Sequence, residues 1–350
     1  AQRAPEETNH LLRTEQSRSR PHPLWHRVEL GGELLGDEAE ATCVLLHALQ
    51  DGPEGLEDFV GKYDPVLHSY RWRVPFPDRV FDPPARAGAR LFFTARDGSV
   101  RALGAADGAL LWEGRIESNE EGLYAHSSEG LADLVVIAGP RSLWALRQDT
   151  GQLVWKRATP IMRSSPCIAR DRVYTIDGNG ELVALSPGGE VLARARRSGK
   201  PHGLSAHGDC VYLLSDDGPV HLTAYDASSL AVLWTQQVCP GASFGLGRLL
   251  LFERTAIVLL DTRNTIHAFD RTTGAVLWEQ CGSPFFAIPI EGERLIVNLR
   301  MIEAPEVWDA RTGQILATYR ETGEACDPGR CLRLVKRIDE YWLLDSPDGK

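Results

Sequence analysis

Six segments of this chain leave a turn and enter a strand in the same way: GALLWEGR from Gly108, GQLVWKRA from Gly151, GEVLARAR from Gly189, LAVLWTQQ from Leu230, GAVLWEQC from Gly274 and GQILATYR from Gly313. The positions four residues after each turn residue, 112, 155, 193, 234, 278 and 317, are 43, 38, 41, 44 and 39 residues apart. A period near 40 built from period-two strands means sheet-forming units stacked side by side, because helical repeats of that length need long stretches of 3.6 periodicity. The 33 Gly and 21 Pro, and apolar runs shorter than a helix needs, point the same way.

One repeat can be laid out residue by residue. LVVIA (Leu134 to Ala138) is followed by the turn GPR, by SLWALR (Ser142 to Arg147), by the turn QDTG, and by QLVWKR. A fourth, less regular strand precedes each set, as in LYAHS, SSPCIA, GLSAH and FFAIPI. In the second turn Asp149 or Asp270 can accept from backbone N–H groups ahead of it, Thr150 or Thr273 adds a hydroxyl, and Gly151 or Gly274 can take a positive φ. The tryptophan four residues on is large enough to wedge against the neighbouring unit, and its N–H needs a partner. Trp72, Trp112, Trp155, Trp234 and Trp278 are the expected docking residues, and the repeats with Ala193 and Ala317 in that place are expected to open more readily.

The pattern A-x-D-x-x-T-G-x-x-x-W, present as AFDRTTGAVLW (Ala268 to Trp278) and nearly as ALRQDTGQLVW (Ala145 to Trp155), resembles the tryptophan-docking repeat of the PQQ-like, quinoprotein-type β-propellers. The resemblance covers residues 68–350 and implies an all-β propeller of four-stranded antiparallel blades. Repeats of the WD40 type have a comparable period, but only Trp308-Asp309 looks like theirs. HSYRWRV (His68 to Val74) reads as an outer strand with no strands of its own before it, and Glu340 to Lys350 stops where an outer strand should begin. Pairing the two ends makes seven blades, with eight as the alternative, and leaves no free sheet edge at the closure. Residues 1–36 read as a disordered tail and 37–67 as a short helical extension, since Ala41, Val44, Leu45, Ala48 and Leu49 fall at helical spacing before the breaker DGPEG.

Quinoprotein dehydrogenases of this family carry an adjacent Cys-Cys pair, a carboxylate base and Ca²⁺-binding Glu, Asn and Asp beside the quinone. The seven cysteines here are never adjacent, and no clustered oxygen-ligand motif is visible, so no cofactor and no catalytic residue are assigned. Counting back nine residues from each second strand places Asp82, His126, Ser164 and His202 at equivalent inner positions, and Arg163 adjoins them; these five are the candidates for lining a central funnel. Two histidines and an aspartate on one ring suit Zn²⁺, but no close His or Cys pair supports a site and no metal is assigned. Cys326 and Cys331, in CDPGRC, flank a turn that can bring two thiols together. No G-x-S-x-G, Walker loop or strand-linked G-x-G-x-x-G occurs.

With 38 basic against 48 acidic residues, the chain lacks the basic excess that nucleic acid or anionic membrane requires. No stretch approaches the roughly 20 apolar residues of a membrane span, and no signal-peptide pattern opens the chain. A start at Ala1 with only two Met suggests a lost leader, leaving a cytoplasmic or periplasmic location open. The expected function is a monomeric, non-catalytic propeller scaffold that binds a protein or peptide through loops or funnel, as envelope-assembly scaffolds of this repeat family do. The alternative is a small-ligand sensor or a PQQ-dependent oxidoreductase using the funnel.

Overall fold

The structure, a computed structural model, describes the strands between residues 24 and 76, most of residues 84–318, and the strands 320–321, 332–337 and 340–345. All regular secondary structure among the described residues is extended, and the strands assemble into eight four-stranded sheets. The chain divides into two compact units, residues 29–249 and residues 250–350 with the N-terminal segment 1–28.

The larger unit holds five sheets, each made of four strands consecutive in sequence. The first comprises Glu33–Asp37, Val44–Gly52, Gly55–Asp64 and Ser69–Phe76, and the second Ala85–Ala87, Arg90–Thr94, Ser99–Gly104 and Leu110–Arg115. The third comprises Tyr124–His126, Leu134–Ala138, Ser142–Arg147 and Leu153–Ala158, and the fourth Cys167–Ala169, Arg172–Ile176, Leu182–Leu185 and Val191–Ala195. The fifth is Lys200–His207, Cys210–Asp216, Val220–Asp226 and Val232–Cys239. Middle strands such as Leu134–Ala138, every residue of which is buried, are covered on both faces, so they read as continuous apolar runs. Outer strands such as Leu153–Ala158 are exposed or alternate between exposed and half-buried residues.

The sixth sheet comprises Gly247–Leu251, Thr255–Leu260, Thr265–Asp270 and Val276–Cys281, and the seventh Pro284–Ile290, Arg294–Leu299, Glu306–Asp309 and Ile315–Thr318. The eighth breaks the sequential rule: its order is Arg320–Glu321, Leu24–Val28, Glu340–Asp345, Leu332–Arg337. Leu24–Val28 pairs antiparallel with Glu340–Asp345 and parallel with Arg320–Glu321.

Two expectations are corrected here. The expected helical extension at 37–67 is a β-hairpin, with Val44–Gly52 paired to Gly55–Asp64 from Val44↔Tyr63 to Gly52↔Gly55. The run Val44, Leu45, Leu46 is apolar on successive residues, so its sequence suits a strand buried on both faces as well as a helix. The C-terminal sheet is completed by an N-terminal strand, but that strand is Leu24–Val28, within the segment expected to be a tail. Ser69–Phe76 instead pairs with Gly55–Asp64, as the fourth strand of a sheet that the helix expectation had hidden.

A shared irregularity marks each repeat. Ala102 faces Trp112, Ala145 faces Trp155, Ala184 faces Ala193, Ala224 faces Trp234 and Ala268 faces Trp278, and in each case the register shifts immediately after the alanine. All five alanines are fully buried. A β-bulge at this point increases the local twist and re-aims the outer strand. The small side chain opposite leaves the indole room to turn toward the next sheet.

Candidate interaction surfaces

The repeat residues that look most chemical are used in holding sheets together. Gly151 has φ +69° and lies against the Trp112 ring of the preceding sheet, where a methyl group would come within 2.6 Å of the indole. Gly108 lies in the same way against Trp72, Gly189 against Trp155 and Gly313 against Trp278. The indole N–H then donates to a turn carbonyl of the next sheet: Trp112 to Gln148 O at 2.8 Å, Trp155 to Pro187 O at 2.6 Å and Trp278 to Ala310 O at 2.9 Å. Trp72 and Trp112 are buried, while Trp155, Trp234 and Trp278 are half-buried. Trp234 packs on Tyr212 of its own sheet, with ring centroids 6.0 Å apart.

Between the fourth and fifth sheets the lock is exchanged. Ala193 stands where a tryptophan is expected, and Leu230 stands where the receiving glycine is expected. Leu230 keeps the turn's left-handed backbone, φ 57°, although a β-carbon is disfavoured there, and it is buried among Tyr174, Leu182, Ala184 and Tyr225 with Ala193 packed against the cluster. The Tyr174 hydroxyl donates to Ala227 O at 2.7 Å. Ala227 lies three residues before Leu230, as Gln148 lies before Gly151 and Ala310 before Gly313, so a phenol serves the acceptor that an indole serves elsewhere. The volume missing at Ala193 is supplied from the other side of the interface.

In the fifth, sixth and seventh sheets the turn is closed by an aspartate two positions beyond the residue that faces the tryptophan site: Asp226, Asp270 and Asp309. Asp270 accepts from the backbone N–H groups of Thr272 and Thr273 at 3.0 and 2.9 Å and from the Thr273 hydroxyl at 3.0 Å. The Thr273 N–H is the largest influence holding its carboxyl below the usual range. Asp226 is bonded by the hydroxyls and N–H groups of Ser228 and Ser229, and the Ser228 hydroxyl leads in holding it lower still. In the third sheet this position is Arg147, so Asp149 lies two residues past the equivalent of Asp270.

Of the funnel candidates, Asp82, Arg163 and Ser164 lie outside the described residues, as do Cys326 and Cys331. His126 ends the inner strand Tyr124–His126, opposite Val136. His202 sits at a bulge between Pro201↔Ser215 and Gly203↔Leu214, with Nε2 3.7 Å from Asp216 Oδ2. Counting residues had made the two histidines equivalent, but the register separates them. His126 faces one residue past Val135, and His202 faces three to four past Val211, a difference of roughly 7–10 Å along the strand. The cause is the hairpin: the fifth sheet joins its first two strands tightly at Gly208-Asp209, whereas seven residues separate His126 from Leu134.

Cys167, Cys210, Cys239 and Cys281 are free thiols on four different strands, and among the described residues no three His, Cys, Asp or Glu side chains are grouped to hold a metal. Burial pushes the Cys167 thiol well above its ordinary range, opposite to what a reactive thiolate needs. The feature that sequence reasoning missed is apolar. Leu110, Leu111, Leu153, Val154, Leu192, Val232, Leu233, Val276 and Leu316, each 41–58% exposed, are the exposed large hydrophobics of the described residues. All lie in outer strands, one or two positions before the tryptophan site. The spacing was readable in the repeats, but their exposure depends on the strand's lying at a sheet edge.

The family model described as "Outer membrane protein assembly factor BamB" matches this chain in three overlapping registers, at residues 59–236, 141–284 and 221–325. The chain is 24% identical over 249 residues to the outer membrane protein assembly factor BamB of Moranella endobia, covering 66% of this chain and 62% of that protein. It is 25% identical over 233 residues to a tetrathionate hydrolase of Acidithiobacillus ferrooxidans, covering 59% of this chain and 46% of that protein. The alignments thus span about three fifths and about half of these relatives' lengths. The crystal structure of BamB from Moraxella catarrhalis superposes with a TM-score of 0.64 at 18% identity, over 92% of this chain and 98% of that one. Repeat pattern, four-stranded sheets and family match together show that this chain belongs to the BamB-like family of PQQ-like repeat β-propellers.

Proposed function

We propose that this protein is a non-catalytic propeller scaffold of eight blades that binds a protein partner during the assembly of outer-membrane proteins. The observation that carries the reading is the family match across residues 59–325, to a model whose description names that role. The use of the repeat's Trp, Asp, Thr and Gly residues in joining sheets and closing turns supports it, because the pattern supplies a rigid frame rather than reacting groups. The eight sheets support eight blades, with Leu24–Val28 contributing to the last. Asp82, His126, Arg163, Ser164 and His202 are proposed as surface the partner can reach rather than as a catalytic set.

A second reading, a ligand-binding or catalytic propeller, is favoured by the similarity to a tetrathionate hydrolase. Calorimetric titration with PQQ and Ca²⁺, with dye-reduction assays over alcohols and sugars and a tetrathionate hydrolysis assay, separates the two. The scaffold reading expects neither binding nor turnover; micromolar binding with turnover, or tetrathionate cleavage, contradicts it.

A further inference from the structure

The eighth sheet is short of an outer strand. Each of the other seven closes on an antiparallel fourth strand of four to eight residues. In the eighth that place, beside Leu24–Val28, is held by the two residues Arg320–Glu321, paired in parallel with Leu24 and Trp25. Among the described residues no strand pairs with His26, Arg27 or Val28 on that side. This stretch is an edge to which another strand can add.

The register says what fits there. In the second, fourth and fifth sheets, the alanine opposite the tryptophan site pairs with the residue two positions beyond the closing pair of the first hairpin. Ala102 pairs with Phe92 after Ala87↔Arg90, Ala184 with Tyr174 after Ala169↔Arg172, and Ala224 with Tyr212 after His207↔Cys210. In the eighth sheet the closing pair is Arg337↔Glu340, two positions on is Trp342, and Trp342 pairs with Arg27. Arg27 therefore holds the tryptophan-facing place, with His26 before it and Val28 after it. A long cation is already found at this place in the first sheet, where Lys62 pairs with Trp72. At the place before it, Arg101 pairs with Glu113, their charged groups 2.9 Å apart, and His267 with Glu279 at 3.7 Å. The outer strands that supply these acids read Leu-Leu-Trp-Glu (110–113) and Val-Leu-Trp-Glu (276–279). Since the bulge takes up one residue, these four span three positions: Leu110, Trp112 and Glu113 face Leu103, Ala102 and Arg101.

We infer that the open edge at His26, Arg27 and Val28 accepts an extended antiparallel segment of a protein partner that reads apolar, apolar, aromatic, acidic. Its first apolar residue takes the register position of Val28, its aromatic residue that of Arg27 and its acid that of His26. The acceptor strand, LWHRV, holds a histidine and an arginine and no acid, so its charge complements the segment's. The segment leaves the sheet after its acid, because Arg320–Glu321 holds the next place. This rests on the scaffold reading and names the chemistry of the partner it requires.

The test uses the full chain and a fluorescent peptide ending in Leu-Leu-Trp-Glu, with counterparts ending in Leu-Leu-Trp-Lys and Leu-Leu-Gly-Glu. Affinity is read by anisotropy and the site by hydrogen exchange. The first peptide is expected to bind at least about tenfold more tightly than either counterpart, and to add protection to amides within 24–28. The preference for glutamate over lysine should vanish or reverse in H26E/R27E; if that variant fails to fold, R27Q should still reduce it. Equal affinity for the three peptides, no binding, or protection gained on another strand instead of 24–28 would overturn the inference. So would a self-associated chain whose dissociation on dilution exposes these amides, since the place would then belong to a second copy. The scaffold reading itself is judged separately, by the absence of turnover and by the assembly phenotype in cells, so the two can fail independently.

Discussion

Gly151 and Leu230 occupy the same place in successive repeats, and the difference between them shows what the place is for. At Gly151 both the left-handed backbone and the Trp112 ring exclude a side chain, so Gly151→Ala should destabilise by about 1–3 kcal/mol and Trp112→Ala by about 3–5 kcal/mol. At Leu230 the ring is absent because Ala193 precedes it, and the leucine fills the space despite its backbone. L230G should therefore cost about 1–4 kcal/mol, the lost packing exceeding the relief of backbone strain. A193W should be destabilising alone, and A193W/L230G should recover about 1–3 kcal/mol relative to the sum of the two. Additive singles, measured by urea denaturation, would contradict the exchanged lock. The expectation that the repeat with Ala193 opens readily treated that position in isolation. Its compensation was legible in LAVLWTQQ, which lacks the usual glycine, whereas the contribution of Tyr174 was not, since that residue comes from a different strand 56 positions earlier.

The turns that join the two outermost strands of a sheet carry a pH dependence. The carboxyls of Asp226 and Asp270 are held below their unfolded values by serine and threonine donors. A group whose folded pKa is depressed contributes stability above its unfolded pKa, and loses it as pH falls through the folded value. The melting temperature should thus be flat above about pH 5 and fall below about pH 4, where unfolded carboxylates protonate. D226N/D270N should melt lower at pH 7 and show a shallower acid slope; an unchanged slope would contradict the assignment. The turn at Asp270 was readable because D-x-x-T-G is local chemistry. The first sheet was not, because Lys62 stands where later repeats have the buried alanine and the sequence before Trp72 carries no D-x-x-T-G. Without that punctuation, the apolar run at Val44 to Leu49 satisfied a helical spacing, and only pairing with Gly55–Asp64 decides it.

At the scale of the whole chain, repetition made the fold class legible, and long-range pairing made its closure illegible. Leu24–Val28 joins a sheet whose other strands lie nearly 300 residues away, so its sequence, LWHRV, carries no local sign of its partners. Deleting residues 1–28 should remove hydrogen-exchange protection from residues 340–345 while leaving 134–138 protected; equal loss in both would contradict a local closure. The funnel candidates were the least legible, since equivalence by counting failed wherever a hairpin changed length, as at His126 and His202. The central claim, a protein-binding scaffold for outer-membrane protein assembly, is tested most directly by deleting the gene in its host and quantifying outer-membrane β-barrel proteins by mass spectrometry. Their abundance is expected to fall and to be restored by the intact protein. Unchanged abundance in the deletion strain would contradict it.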